Sequence, residues 1–230
     1  MRYNGGKFAV AKDIAEIIAA CSSGETYWEP FVGAANVICR PELAHFTRYG
    51  SDLDPNIIML LNAVKGGWVP PTSVTEQEYA EAKLAEPSAL RAFIGYGCSF
   101  GGKFFGGYAR SGTRNYAGNA HRSLLKQADL LRHVALAHST YRDEPFGKAD
   151  VIYCDPPYKG TTRCGSASDF DSAAFFEWCI KKAECGSRVF VSEFQAPKEF
   201  KKIWDRRITD GLRKSGTSHE MIERLFVCQP

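Results

Sequence analysis

The chain has 230 residues, 44% of them hydrophobic and 24% charged, a composition that suits one globular domain carrying an inserted subdomain and excludes a low-complexity or fibrous chain. No apolar run is long enough to span a bilayer, and the first residues lack the apolar stretch of a signal peptide, so a cytoplasmic protein without membrane contact is expected. The eight cysteines include no C-x-x-C pair, and several lie in apolar surroundings, as in Val151-Ile152-Tyr153-Cys154, which points to buried reduced thiols rather than zinc or a disulfide framework.

In chain order, the Gly5-Gly6 turn leads into a predicted helix over residues 10–21, with Val10, Ile14, Ile17 and Ile18 on one face. A short strand at 25–28 runs into Pro30-Phe31-Val32-Gly33-Ala34-Ala35, and a helix is expected from residue 34 or 35 to just before Pro41. A second strand covers 46–51 and closes on Asp52-Leu53-Asp54; Pro55 then suits the first turn of a helix with an apolar run at 57–64. After Gly66-Gly67-Trp68-Val69-Pro70-Pro71, helices are expected over 76–85, 87–94 and 120–136, around an irregular glycine- and aromatic-rich stretch at 95–117. Residues 65–138 thus read as an insert between 1–64 and 139–230.

Strands resume at 139–141 and 149–154, the latter almost continuously apolar, as a buried parallel strand should be. A helix over 170–183 capped by Asp169 or Asp171, a strand at 188–192, a helix around 197–204 and closing strands at 207–209 and 222–227 follow. Strands alternating with helices give an α/β fold with a mostly parallel, doubly wound sheet.

The net charge is only +3, but it is unevenly spread. Residues 101–142 carry seven basic side chains against Asp129 alone, a local +6, which leaves −3 on the rest of the chain. A basic segment on an acidic body is the footprint of a polyanion partner, or else a solvated helix face.

Asp155-Pro156-Pro157-Tyr158 directly follows the buried strand, where open α/β sheets bind their ligands. Two prolines stiffen the loop. Asp155 and the Pro156 carbonyl can accept hydrogen bonds from both N–H groups of an exocyclic base amine, and Tyr158 can stack on an extruded base. Oriented acceptors of this kind free the amine lone pair for attack on an electrophile without a covalent intermediate. Upstream, Gly33 permits close backbone approach after the first strand. Asp52, at the end of the second, either binds ribose hydroxyls or caps the helix before Pro55. Lys7 follows an aromatic residue and a double glycine, as a ligand-facing loop would.

The order of these pieces resembles the bacterial and phage N6-adenine DNA methyltransferases related to the Dam enzyme. Arg2-Tyr3-Asn4-Gly5-Gly6-Lys7 is similar to that family's N-terminal motif, Glu29-Pro30-Phe31-Val32-Gly33 to its cofactor loop, and Ser51-Asp52-Leu53-Asp54 to its acidic strand end. Cys154 to Tyr158 is similar to its catalytic loop. Likeness extends to 100–108, Val191-Ser192-Glu193 and Glu223-Arg224-Leu225-Phe226, and so spans nearly the whole chain.

The resemblance implies a Rossmann-like methyltransferase sheet ending in an antiparallel hairpin, with S-adenosylmethionine as cofactor. It implies that Tyr3, Lys7, Asp52 and Asp155 contact the cofactor, that Phe31 lines its pocket, and that Asp155 also serves the target amine. One departure is Ala35, where the family often has a second glycine; alanine fits there with ordinary helical angles.

Double-stranded DNA is the expected partner, with no obligatory protein partner, and residues 65–138 are expected to read the target. Lys103, Arg110, Arg114, Arg122 and Lys126 are the candidate nucleic-acid contacts. Methylation of cytosine N4 shares the chemistry but more often uses serine at the position of Asp155. A cytosine C5 enzyme would need a Pro-Cys nucleophile, which the chain lacks. Methylation of RNA or of protein glutamine, and a DNA-binding module without catalysis, are the remaining alternatives.

Overall fold

The structure, a computed structural model, describes residues 1, 3, 5–110, 112–158, 170–209 and 220–229. Seven strands form one sheet in the order β3-β2-β1-β4-β5-β7-β6. They are β1 (Thr26–Glu29), β2 (Thr47–Asp52), β3 (Val134–His138), β4 (Val151–Cys154), β5 (Arg188–Ser192), β6 (Phe200–Thr209) and β7 (Glu220–Cys228). Strands β1 to β5 pair in parallel, and β7 runs antiparallel to both β5 and β6. This is a Rossmann-like, mostly parallel sheet closed by an antiparallel hairpin.

Strand periodicity divides the core in two. Tyr27, Tyr153 and Phe190 enter the apolar cluster on one face, whereas Trp28, Ile152, Val189 and Val191 enter the cluster on the other. Helices α1 (Ala11–Cys21) and α2 (Pro55–Lys65) bury Ile14, Ile18, Ile57 and Leu60 in the first cluster. Helix α6 (Ser172–Glu184), capped by Asp171, buries Phe175, Phe176 and Cys179 in the second. Asp169 lies outside the described residues. The described cysteines are free thiols, and burial pushes the Cys39 thiol up to about 12.

Between α2 and β3 the chain forms α3 (Glu76–Leu84), α4 (Ala89–Gly97) and α5 (Tyr116–Leu131). Phe93, Tyr96 and Leu124 of these helices belong to the same apolar cluster as the sheet, so the insert shares the main core. The aromatic–glycine stretch folds back on α4: Phe105 N–H donates to the Gly95 carbonyl (2.9 Å), and a Ser99–Tyr108 bridge closes its ends. Gly95 makes room for it, since a Cβ there would lie 2.3 Å from the Phe104 ring.

The structure corrects the sequence expectations in three stretches of the chain. Residues 34–40 form turns rather than a helix, because Gly33 (φ 46°) and Ala35 (φ 56°) both adopt left-handed angles that break helical continuity. Ala35 thus has left-handed angles of the kind that favour glycine, not the helical ones expected. The helix expected at 120–136 ends at Leu131, and Val134–His138, assigned from the sequence to the insert, is β3 beside β2. Residues 139–141 are then the loop leaving that strand, not a strand. Finally, the helix expected around 197–204 is absent; Phe200–Thr209 pairs along β7, with a bulge between Lys202 and Trp204. Long cross-strand pairing there overrides the helical preference of a Lys-rich segment.

Candidate active site

The winding of the sheet reverses between β1 and β4, which opens a crevice beyond their carboxyl ends. A cavity of about 510 Å³ fills that crevice. Its wall brings together Tyr3, Lys7, Phe31, Gly33, Asp52 and Asp155, six positions singled out from the sequence. Arg2 and Asn4, within the same motif, lie outside the described residues.

The loop after β1 is tied down by Asp52. One carboxylate oxygen accepts from the Gly33 amide (2.8 Å) and the other from the Asp54 amide (3.0 Å). The helix cap is Asp54, which accepts from Asn56 N–H at 2.9 Å, so Asp52 stays at the strand end, facing the cavity. A Cβ on Gly33 would stand 3.0 Å from the Tyr3 ring; glycine lets that ring lie on the loop. Tyr3 in turn packs on Tyr96 of α4 (5.3 Å between centroids), whose hydroxyl bonds Asp54.

At the other end of the cavity Phe31 stacks on Tyr141 (5.7 Å, 29°) and meets Phe170 edge-on. Tyr141 and Arg142 also line the wall, on the loop that leaves β3, where the sequence predicts a strand over 139–141.

Asp155 follows the last residue of β4, and its carboxylate is 2.7 Å from the buried Lys7 ammonium. Pro157 lines the cavity, whereas Pro156 is buried and does not. The stacking role expected of Tyr158 is not available in this conformation. Its ring is only 5% exposed. The ring packs against Phe194 (4.7 Å) and lies under Lys7 Nζ (4.6 Å), and its hydroxyl donates to Glu223 Oε2 (2.7 Å).

Sequence reasoning gave no separate role to two acids at this centre. Glu223, on β7, lies 3.8 Å from Lys7 and is 5% exposed. Glu29 ends β1, lines the cavity and accepts from the Tyr27 hydroxyl at 3.1 Å. The available signals were an acid ending the buried strand β1 and an acid set among Met221, Ile222, Leu225 and Phe226 of β7. Burial, reinforced by the negative charges of Asp155 and Asp52, holds the Glu29 carboxyl well above the usual range despite the Tyr27 bond.

Glu29 therefore holds its proton to higher pH in the folded protein than in the unfolded chain. A raised carboxyl favours the fold fully only below about pH 4, and that contribution fades as pH rises toward the folded value. Glu29→Gln should leave the melting temperature almost unchanged near pH 4 and raise it relative to wild type as pH increases to 8. Parallel melting curves across that range check the sign.

The lining is acidic as a whole, with Asp52, Asp54, Asp155 and Asp171 against Lys7 and Arg142. Away from this cavity, Lys103, Arg110, Arg114, Arg122 and Lys126 are all exposed. Arg110 pairs with Glu76, Arg122 with Asn119, and Arg114 lies over the Tyr116 ring at 5.9 Å. Arg110 and Arg114 flank a second cavity of about 610 Å³ at the start of α5.

No protein-family model matches the chain, and no curated protein matches it in sequence. Among solved structures it is similar to the rRNA methyltransferase AviRa from Streptomyces viridochromogenes (15% identity, 98% of this chain and 86% of that one, TM-score 0.46). It is also similar to precorrin 8W decarboxylase from Methanobacterium thermoautotrophicum (10%, 96% and 89%, TM-score 0.45). A third is the precorrin-6y C5,15-methyltransferase from Geobacter metallireducens (7%, 95% and 87%, TM-score 0.41).

Proposed function

We propose that the chain is a site-specific DNA methyltransferase that moves a methyl group from S-adenosylmethionine to the N6 amine of an adenine flipped out of double-stranded DNA. The observation that carries the reading is Asp155, a carboxylate at the end of central strand β4, in the wall of the same cavity as Asp52 and Phe31.

The cavity suits the cofactor. Its volume is in the range of small-molecule sites, roughly 300–1,000 Å³. The acidic lining favours a cationic ligand, Asp52 can bind ribose hydroxyls, and Phe31 and Tyr141 offer aromatic faces to a purine. When bound, S-adenosylmethionine supplies an electrophilic methyl group on a positively charged sulfur. The Asp155 carboxylate, in the cavity wall, would accept an amine N–H bond and direct the nitrogen lone pair toward that methyl, whereas the buried Pro156, outside the wall, serves by stiffening the loop. The carboxylate would also stabilise the positive charge that the nitrogen gains as the sulfur–methyl bond breaks, until one amine proton is lost to solvent. Tyr158 serves by holding the Lys7 and Glu223 side chains rather than by stacking on the base.

The exposed basic side chains of the insert meet DNA phosphates in this reading, and such an enzyme works in bacterial or phage-infected cytoplasm. Each phosphate contact contributes about 0.9 to the slope of log affinity against log salt. Neutralising Arg114, Arg122 and Lys126 together should therefore flatten the slope by up to about 2.7 and weaken DNA binding. An unchanged slope in a filter-binding series would remove these residues from the interface. The activity itself is tested with labelled S-adenosylmethionine and unmethylated double-stranded DNA. Label should enter the DNA and not RNA offered in its place; label in RNA alone would overturn the reading.

A further inference from the structure

Lys7 is shared between two carboxylates. Its ammonium lies 2.7 Å from Asp155 Oδ1 and 3.8 Å from Glu223 Oε2, and all three side chains are largely buried. Glu223 comes from β7, the middle strand of the antiparallel end of the sheet, so it reaches the centre from an element that contributes nothing to the cavity wall. The Tyr158 hydroxyl, donating at 2.7 Å, fixes the Glu223 carboxylate in this place.

A lysine paired with Asp155 alone would neutralise it. With Glu223 present, the ionised trio carries a net charge of −1, and part of the lysine's charge is drawn away from the cavity. We propose that Glu223 is a positioning residue, which holds Lys7 between two carboxylates so that Asp155 keeps negative charge for a cationic ligand and for the alkylated amine. The inference rests on the S-adenosylmethionine reading of the cavity and adds a device that selects its charged form.

The device has a signature that simple packing lacks. S-adenosylmethionine carries a positive sulfonium, and S-adenosylhomocysteine carries a neutral thioether of nearly the same shape. Loss of the Glu223 charge should weaken the first ligand and spare the second. A residue that only shapes the site would change both together.

The experiment is calorimetric titration of both compounds into the full chain, wild type and Glu223→Gln, which keeps an acceptor for Tyr158. The expected result is about a tenfold loss of affinity for S-adenosylmethionine, with S-adenosylhomocysteine unchanged within about twofold, on the order of one screened charge interaction. Equal losses for the two compounds, or none, would overturn the proposal. If Glu223→Gln does not fold, Glu223→Asp carries the test. Its charge is retained, so the ratio of the two affinities should stay near wild type, and a tenfold shift in that ratio overturns the idea. A wild type that binds neither compound sinks the cofactor reading and this inference with it. A wild type that binds both while the Glu223→Gln ratio stays put sinks the inference alone.

Discussion

Asp155→Ala is expected to lower the rate of methyl transfer by about 10³-fold or more while the protein stays folded, since deleting one oriented group at a reacting centre costs on that order. The carboxylate is at the cavity wall, where it meets Lys7 at 2.7 Å. Removing one member of a buried ion pair usually destabilises strongly, because the other charge is stranded. Here Lys7 keeps Glu223 at 3.8 Å and the face of Tyr158 at 4.6 Å, so the fold has a second partner for the ammonium. Activity and stability should therefore separate. A melting curve close to wild type, with no N6-methyladenine formed, is the expected pair of results. Methyl transfer retained by that variant would remove Asp155 from the reaction.

The second large effect is on cofactor affinity. Asp52→Ala removes a carboxylate that orders the loop after β1 through the Gly33 amide at 2.8 Å and still faces the cavity. An ionised carboxylate has about four acceptor positions, so one side chain can serve both loop amides and ribose hydroxyls. Each bond to a charged group contributes about 1.5–3 kcal/mol, and about 1.4 kcal/mol is tenfold in affinity. Loss of the ribose contacts together with loosening of the loop should weaken S-adenosylmethionine binding by about 10²-fold. An unchanged dissociation constant would show that Asp52 holds the loop and nothing more.

The parts of this site that were legible in the sequence are those in which a local pattern and a chemical group coincide. Asp155 follows an apolar run that only a buried strand explains, and Asp52 follows a second strand at a place where a turn must come. Both signals survive in the structure because strand ends are fixed by the same local periodicity that marks them. Gly33 is informative for the same reason: its left-handed angle strains any side chain, and a Cβ there would stand only 3.0 Å from the Tyr3 ring.

The illegible parts depend on distant partners. Lys-rich residues 200–204 have helical preferences, and only pairing with β7 makes them a strand. Val134–His138 continues the pattern of α5 and becomes β3 because β2 offers an open edge. Ala35 looks like a helical alanine until the turn around it imposes φ 56°. Glu223 is separated from Asp155 by 68 positions, and no local pattern announces that the two share a lysine. Tyr158 shows the opposite error: an aromatic ring beside a catalytic loop invites a stacking role, yet burial and the Glu223 bond commit it elsewhere.

The central claim is that Asp155 directs the amine of adenine, and the identity of the modified base tests it most directly. Unmethylated double-stranded DNA treated with the protein and S-adenosylmethionine should be digested to nucleosides for mass spectrometry and sequenced for modified positions in parallel. The account predicts N6-methyladenine, at adenines within one recurring sequence, and none with Asp155→Ala. N4-methylcytosine in its place, or N6-methyladenine formed equally well without the Asp155 carboxylate, would contradict it.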